Sequence, residues 1–331
     1  MVDPLAQGKD WGGRRRTKSR ATFGEAAAEW LRFVEFDRRR RRSTVRDYHN
    51  NVRFHLIPEF GAETVLTTIT YRRIDAYRER LVEEDVLAPR TINKLLTNLH
   101  GVFRRAMRVY DLENNPVALI DKQPCRASGD FRVLAPREVL RLIGAAATEQ
   151  DRAIYALAAF AGLRMGELRA LRWSDVDFTL STIHVRRSFS LGRFEPPKSG
   201  RVRSVPLIEQ VAERLSQLQR RDSPDDLIFT AQKGGVIDDS RVRRRFYDAY
   251  TRAGLQPLRF HDLRHSFGTM AVQAFPLSEV AAFMGHAAIE TTMIYVHHVP
   301  KQDAASKLAR VVDEQARSKM PPARIELAHM V

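Results

Sequence analysis

The stretch HDLRHSFGTMAVQAFPLSEVAAFMGHAAIETTMIYVHH, residues 261–298, places two imidazoles (His261, His286), a guanidinium (Arg264) and a phenol (Tyr295) on short, mostly apolar helical segments. A packed core has no use for such groups unless each is paired. Together they can grip a phosphodiester and attack it. His261 and Arg264 stand three apart, so their side chains share a helical face. Taken singly, that pair reads as a surface pair, and Tyr295, among Met293, Ile294 and Val296, reads as a core tyrosine. The reading turns on what the rest of the chain supplies.

The composition is that of a folding chain, with 44% hydrophobic residues in 331, enough for one large core or two smaller ones. A formal charge of +15 and a pI near 10.4 point to a polyanionic partner. The single cysteine, Cys125, excludes a disulfide framework and suits a reducing compartment. No apolar run approaches the ~20 residues of a membrane helix, and the N-terminus lacks the apolar stretch of a signal peptide. The expectation is a cytoplasmic protein with no membrane partner.

Five segments follow from periodicity and punctuation. Residues 1–22 form a basic, aperiodic arm with Arg14, Arg15, Arg16, Lys18 and Arg20. A helical unit spans 23–118. It opens on the capping-box pattern Thr22-Phe-Gly-Glu25 and includes a helix from about Ser43 to Leu56. Its longest helix starts at Pro89 and keeps Ile92, Leu95, Leu96, Leu99, Val102, Phe103 and Ala106 on one face. The other face holds Asn93, Lys94, Asn98, Arg104, Arg105 and Arg108 without acids, so it is expected to meet DNA. Residues 119–130 are a linker. A mixed unit spans 131–315, with helices near 136–147 and 151–160. A small antiparallel sheet follows, from Trp173–Phe178, Thr182–Ser190 and Arg201–Pro206. A helix with Ala305, Leu308, Val311 and Val312 on one stripe covers 302–316, and 316–331 is a disordered tail. The fold class is mainly α with a small antiparallel β-sheet, in two domains.

Cleaving a DNA strand without a metal needs an activated nucleophile, cations for the charge gathering on phosphorus, and a proton for the leaving oxygen. Every role has a candidate, and the sequence carries no HExxH, cysteine cluster or DxDxDG loop. Four motifs stand in order. They are Gly162-Leu-Arg164-Met-Gly-Glu167-Leu168, then Pro197-Lys198-Ser-Gly200 with Val205-Pro-Leu207, then His261-Asp-Leu-Arg264-His265, and last Met284-Gly-His286 with Thr291, Thr292 and Tyr295 downstream. In that order they resemble the tyrosine recombinases of the phage integrase type, over roughly residues 23–315. Any one motif is weak; coincidence of all four across more than 130 positions is not credible.

The resemblance implies roles. Arg164 and Arg264 would hold the non-bridging oxygens of the scissile phosphate, with Glu167 orienting Arg164. Lys198 would protonate the leaving 5′ oxygen. His261 would help move the Tyr295 proton and share in phosphate binding, and His286 would donate a hydrogen bond to the phosphate. Tyr295 would attack, giving a 3′-phosphotyrosyl link that needs no metal, cofactor or ATP. The two units would close around duplex DNA as a C-shaped clamp. Arg39, Arg40, Arg41, Arg42, Thr44, Arg46, Lys94, Arg104 and Arg105 would touch phosphates from one side. Arg186, Arg187, Arg201, Arg203, Arg241, Arg243, Arg244 and Arg245 would do so from the other. His265, His297, His298 and Cys125 are read as structural or surface residues.

The implied partners are double-stranded DNA attachment sites, three further copies of the chain at a synapse, and an accessory directionality factor. The implied setting is a bacterial cytoplasm, at the nucleoid, with the gene bacterial or phage-borne. Strand exchange for a mobile element, through a Holliday junction, is the leading function. A Xer-type dimer resolvase, a type IB topoisomerase and a non-catalytic DNA-binding regulator are the alternatives.

Overall fold

The computed structural model describes residues 20–125, 131–218 and 223–296, with 309, 310 and 312. The expected arm (save residues 20–22), the helix over 302–316 (save those three positions) and the tail lie outside the described residues, as do His297 and His298. The chain divides into two compact units, Met1–Gly129 and Asp130–Val331. No described helix is long and apolar enough to cross a membrane.

The first unit is helical: α1 (Phe23–Arg32), α2 (Arg42–Asn51), α3 (Ile57–Phe60), α4 (Tyr71–Glu83) and α5 (Pro89–Val109). Thr22 and Glu25 do cap α1 reciprocally: Thr22 Oγ1 accepts from the Glu25 backbone, and Glu25 Oε2 accepts from the Thr22 backbone at 3.0 Å. Such a cap contributes about 1 kcal/mol. The helix expected over Ser43–Leu56 is α2 followed by a single π-helical turn, Val52–Leu56, that runs into α3. The wider turn re-registers the helix so that Val52, Leu56 and Phe60 all face the core. On α5, all seven expected apolar residues are buried.

The polar face of α5 departs from expectation. Asn98 is buried. Arg105 Nη2 lies 2.6 Å from the buried Glu29 on α1, and Lys94 Nζ lies 3.2 Å from Asp47 on α2. Asn93 exchanges two 2.8 Å hydrogen bonds with the Gln123 backbone and donates to Cys125 Sγ, so it fastens the first part of the expected linker. The acids absent from the sequence of α5 arrive from neighbouring helices.

The second unit is built around α7 (Glu149–Phe160), whose residues 153–159 are all buried. Packed on or near it are α6 (Pro136–Gly144), the short α8 (Met165–Leu168), α9 (Glu209–Ser216), α10 (Asp239–Ala253) and α11 (Asp262–Ala274). The expected single sheet is two. Strands β1 (Val176–Asp177), β2 (Thr182–Val185) and β5 (Arg203–Pro206) form one antiparallel sheet. In it Ile183 pairs with Val205, both pointing inward. Strands β3 (Ser188–Ser190) and β4 (Arg193–Glu195) form a separate hairpin. The break falls at Arg186 and Arg187, which both turn to Asp175 Oδ1 at 3.1 Å instead of continuing a strand. Two short helices follow, α12 (Leu277–Met284) and α13 (Glu290–Val296). Phe267, Ala271, Val280, Met284 and Tyr295 make a small apolar cluster of their own.

Candidate active site

The left-handed Gly162 turns the chain after α7 so that Arg164 heads α8. Glu167, one turn on, accepts from the Arg164 backbone at 2.8 Å and from Arg164 Nη1 at 3.0 Å. Both oxygens of Glu167 also receive Arg203 of β5, Nη1 at 2.8 Å and Nη2 at 2.7 Å. Burial alone would raise this carboxyl. The Arg203 hydrogen bonds and charge, with the charge of Arg164, override that and hold it at about 2.

The C-terminal end of α12 gathers three guanidiniums. The Met284 carbonyl accepts from Arg164 Nη2 at 3.2 Å and from Arg264 Nη2, and the Phe283 carbonyl accepts from Arg203 Nε at 2.7 Å. The negative end of a helix dipole favours cations there. Arg264, buried on α11, also donates to the Gly162 carbonyl. Burial, with Arg164 and Arg203 nearby, lowers its guanidinium to about 9, still cationic at neutral pH. One carboxylate faces three guanidiniums, a surplus of positive charge that suits a phosphate.

Gly285, at φ +60°, then turns the chain so that His286 sits 3.5 Å from Arg264 Nη2. His286 Nδ1 lies 2.8 Å from Thr292 Oγ1. Since the guanidinium can only donate, Nε2 of His286 accepts in this arrangement, and Nδ1–H donates to Thr292. Donation from Nε2 to a phosphate, the role expected of His286, therefore requires the other tautomer, with the Thr292 hydroxyl donating back.

Tyr295 on α13 is only 2% exposed. Its ring lies on Gly268 of α11, where a Cβ would come within 2.7 Å, and Phe131 meets it edge-on at 5.6 Å. Its hydroxyl lies 3.0 Å from His265 Nδ1, and the His265 ring stacks on Phe131 at 4.5 Å. Burial pushes the phenol up to about 12, with Arg264 and Arg164 pulling the other way. The phenol therefore keeps its proton. His261, expected at the Tyr295 proton, heads α11 instead and meets His265 edge-on, ring centres 5.4 Å apart. It is exposed at its outer edge, yet desolvation of its inner side, with His265 and the arginines close by, lowers it to about 4. Burial and the same arginines lower His286 to about 4 as well.

Five of the six expected residues, Arg164, His261, Arg264, His286 and Tyr295, thus form one connected group. Lys198 is exposed on the turn between β4 and β5, where Gly200 N–H donates to the Pro197 carbonyl at 2.7 Å. The adjacent Ser199 Oγ would be 3.4 Å from a Cβ on Gly285.

The seventeen expected DNA contacts divide. Arg39, Arg40, Arg42, Arg46, Arg104, Arg201, Arg241 and Arg244 are exposed, and Arg41 and Thr44 half-exposed. Lys94, Arg105, Arg186, Arg187 and Arg243 hold ion pairs, and Arg245 grips the fully buried Asp151 at 2.7 and 2.8 Å. Arg203 is buried under Glu167 and has no free face for DNA, a correction that strand alternation could have supplied, since Arg203 and Val205 share the inward side of β5. His265, set aside as structural or surface, is the group at the Tyr295 hydroxyl. His261, His265 and Gly268 lie at helical spacing on one face of α11, a signal present in the sequence.

Residues 132–302, just over half of the chain, match the model of the phage integrase family. The chain belongs to that family, and its class is tyrosine recombinase. It is 24% identical over 316 residues to a tyrosine recombinase XerC-like protein of Caldanaerobacter subterraneus subsp. tengcongensis, covering 85% of this chain and 80% of that one. It is 26% identical over 287 residues to the ICEBs1 integrase of Bacillus subtilis, covering 79% and 77%. By fold it is similar to a Tn1549 transposon integrase in complex with a circular intermediate DNA, with TM-score 0.71 and 19% identity over 88% of this chain and 99% of that one. A lambda integrase tetramer bound to a Holliday junction is similar at TM-score 0.65 and 19% identity, over 81% and 78%.

Proposed function

We propose that this protein is a site-specific recombinase of a mobile element, breaking and rejoining DNA through Tyr295. The observation that carries the reading is the convergence of Arg164, Arg264 and His286 at the end of α12, one helix away from Tyr295. In the proposed reaction the Tyr295 oxygen forms a bond to phosphorus as the bond to the 5′ oxygen breaks. The phenolic proton passes to His261 or His265, and Lys198 supplies a proton to the departing 5′ oxygen, which leaves as a hydroxyl. One ester replaces another, so the bond energy is retained and the reverse step needs no ATP. Arg164 and Arg264 match the planar array of phosphate oxygens and gain most as charge accumulates there.

Duplex attachment sites, four copies at a synapse and an accessory directionality factor are the proposed partners, and the exposed arginines of both units the phosphate contacts of a clamp. Relatives solved with DNA and as a tetramer support the duplex and the four copies. A dimer-resolving role is the second reading, favoured by the XerC-like relative. The test is a nicked suicide duplex made from fragments that the wild-type protein captures covalently. Wild type should form a protein–DNA adduct that Tyr295→Phe abolishes. No adduct on any captured or genomic fragment would overturn the reading. Recombinants between two such sites then separate a recombinase from a topoisomerase, and the genomic setting of the sites separates an element from a dimer-resolution locus.

A further inference from the structure

Arg203 touches both the carboxylate that holds Arg164 and the loop that presents His286. It occupies both oxygens of Glu167, the carboxylate that also holds Arg164 by its backbone and by Nη1. Its Nε fixes the Phe283 carbonyl, beside the Met284 carbonyl that receives Arg164 and Arg264. Its Cδ would be 3.1 Å from a Cβ on Gly285, the residue that sets His286. It also begins β5, the strand entered from the Lys198 turn. Both terminal nitrogens of Arg203 are taken by the Glu167 carboxylate, which leaves no fork to offer a phosphate. What Arg203 can do is fix distances among groups that bind one.

We propose that Arg203 is a positioning residue for strand cleavage, locking the Arg164 loop, the Lys198 turn and the His286 loop into one register. This rests on the recombinase reading. The geometry gives a consequence that a general packing role lacks. Arg164 and Arg264 act on the charged non-bridging oxygens of the scissile phosphate. A methylphosphonate at that position replaces one of those oxygens with a neutral methyl group, so accurate placement of the guanidiniums matters less there. Loss of Arg203 should therefore harm cleavage of the phosphate far more than cleavage of the methylphosphonate. DNA affinity should hardly change, because Arg203 spends both terminal nitrogens on Glu167 and has none for a phosphate.

The experiment measures single-turnover adduct formation, with protein in excess and saturating, on matched phosphate and methylphosphonate suicide duplexes. Wild type, Arg203→Met and Arg203→Lys are compared, and affinity for the same duplex is measured in parallel. Arg203→Met is expected to slow cleavage of the phosphate on the order of a hundredfold, as misplacement of about 1 Å does. On the methylphosphonate the loss should be under about tenfold, and affinity should stay within about threefold. Arg203→Lys keeps the charge but not the two-pronged grip, and should fall between. Should Arg203→Met not fold, Arg203→Lys and the doubly neutral Glu167→Gln/Arg203→Met variant carry the comparison. Equal losses on both linkages would reduce Arg203 to a packing residue and overturn the proposal. A loss of affinity that accounts for the slower rate would make it a DNA contact, and unchanged cleavage would remove any role. If wild type itself forms no Tyr295-dependent adduct, the recombinase reading fails first, and the failure is visible as such.

Discussion

At the residue scale, two imidazoles of the candidate site have been removed from their usual titration range. His261 and His286 both lie at about 4, because desolvation and the neighbouring guanidiniums penalise a further positive charge. The sign is fixed: a depressed folded value keeps both rings neutral above about 4 and favours the fold fully above the ordinary value near 6.5. That contribution is lost as pH falls from about 6.5 through 4. An NMR titration of the DNA-free protein should therefore show neither ring changing charge between about pH 6 and 8, where an ordinary histidine would give a step. A midpoint near 6.5 for either of these two rings would contradict the neutral pair. The phenol at about 12 means that the proposed nucleophile does not ionise by itself at these pH values. His265 Nδ1 lies 3.0 Å from its hydroxyl and can take its proton in the tautomer that leaves Nδ1 bare. The four motifs name six residues, and the fold brings five of them, all but Lys198, into one group. What the sequence left open was which histidine meets which partner. That depends on side-chain direction around α11, and a spacing of four does not distinguish His261 from His265.

At the element scale, the end of α12 organises the site more than any single side chain does. Eight residues of helix deliver two carbonyls to three guanidiniums, and the next residue turns the chain to present His286. That turn needs Gly285: the left-handed φ strains any L side chain, and a Cβ would press on Arg203 at 3.1 Å. Gly285→Ala should cost about 1–2 kcal/mol of stability. It should slow Tyr295 adduct formation while leaving DNA affinity near wild type, measured by thermal melting, suicide-substrate kinetics and binding side by side. Unchanged kinetics would show that the turn tolerates a side chain and that His286 is placed by other contacts. The helices were legible because they repeat an apolar residue every three or four positions, as α5 does over Ile92 to Ala106. The sheet was less so. Arg186 and Arg187 sit inside an alternating stretch, and only the buried Asp175, eleven and twelve positions earlier, shows why the strand breaks there.

At the scale of the whole molecule, the +15 charge is not evenly available to DNA. A count of arginines from sequence treats all of them alike, since acids from distant elements are invisible in a linear reading. The fold separates them. Arg40 and Arg244 are exposed, whereas Arg245 neutralises an Asp151 with no exposed surface. Counterion release makes binding fall with salt in proportion to the phosphates contacted. Removing an exposed arginine by Arg40→Ala or Arg244→Ala should therefore flatten the log affinity against log salt plot by up to about one unit. The melting temperature should hold. Arg245→Ala should do the opposite. It strands a buried carboxylate at a cost of roughly 3 kcal/mol, lowering the melting temperature by several degrees. The salt slope should stay as in wild type. Measuring both quantities for each variant assigns each basic residue to DNA or to the fold. A slope change in Arg245→Ala without destabilisation would return that residue to the DNA-binding surface.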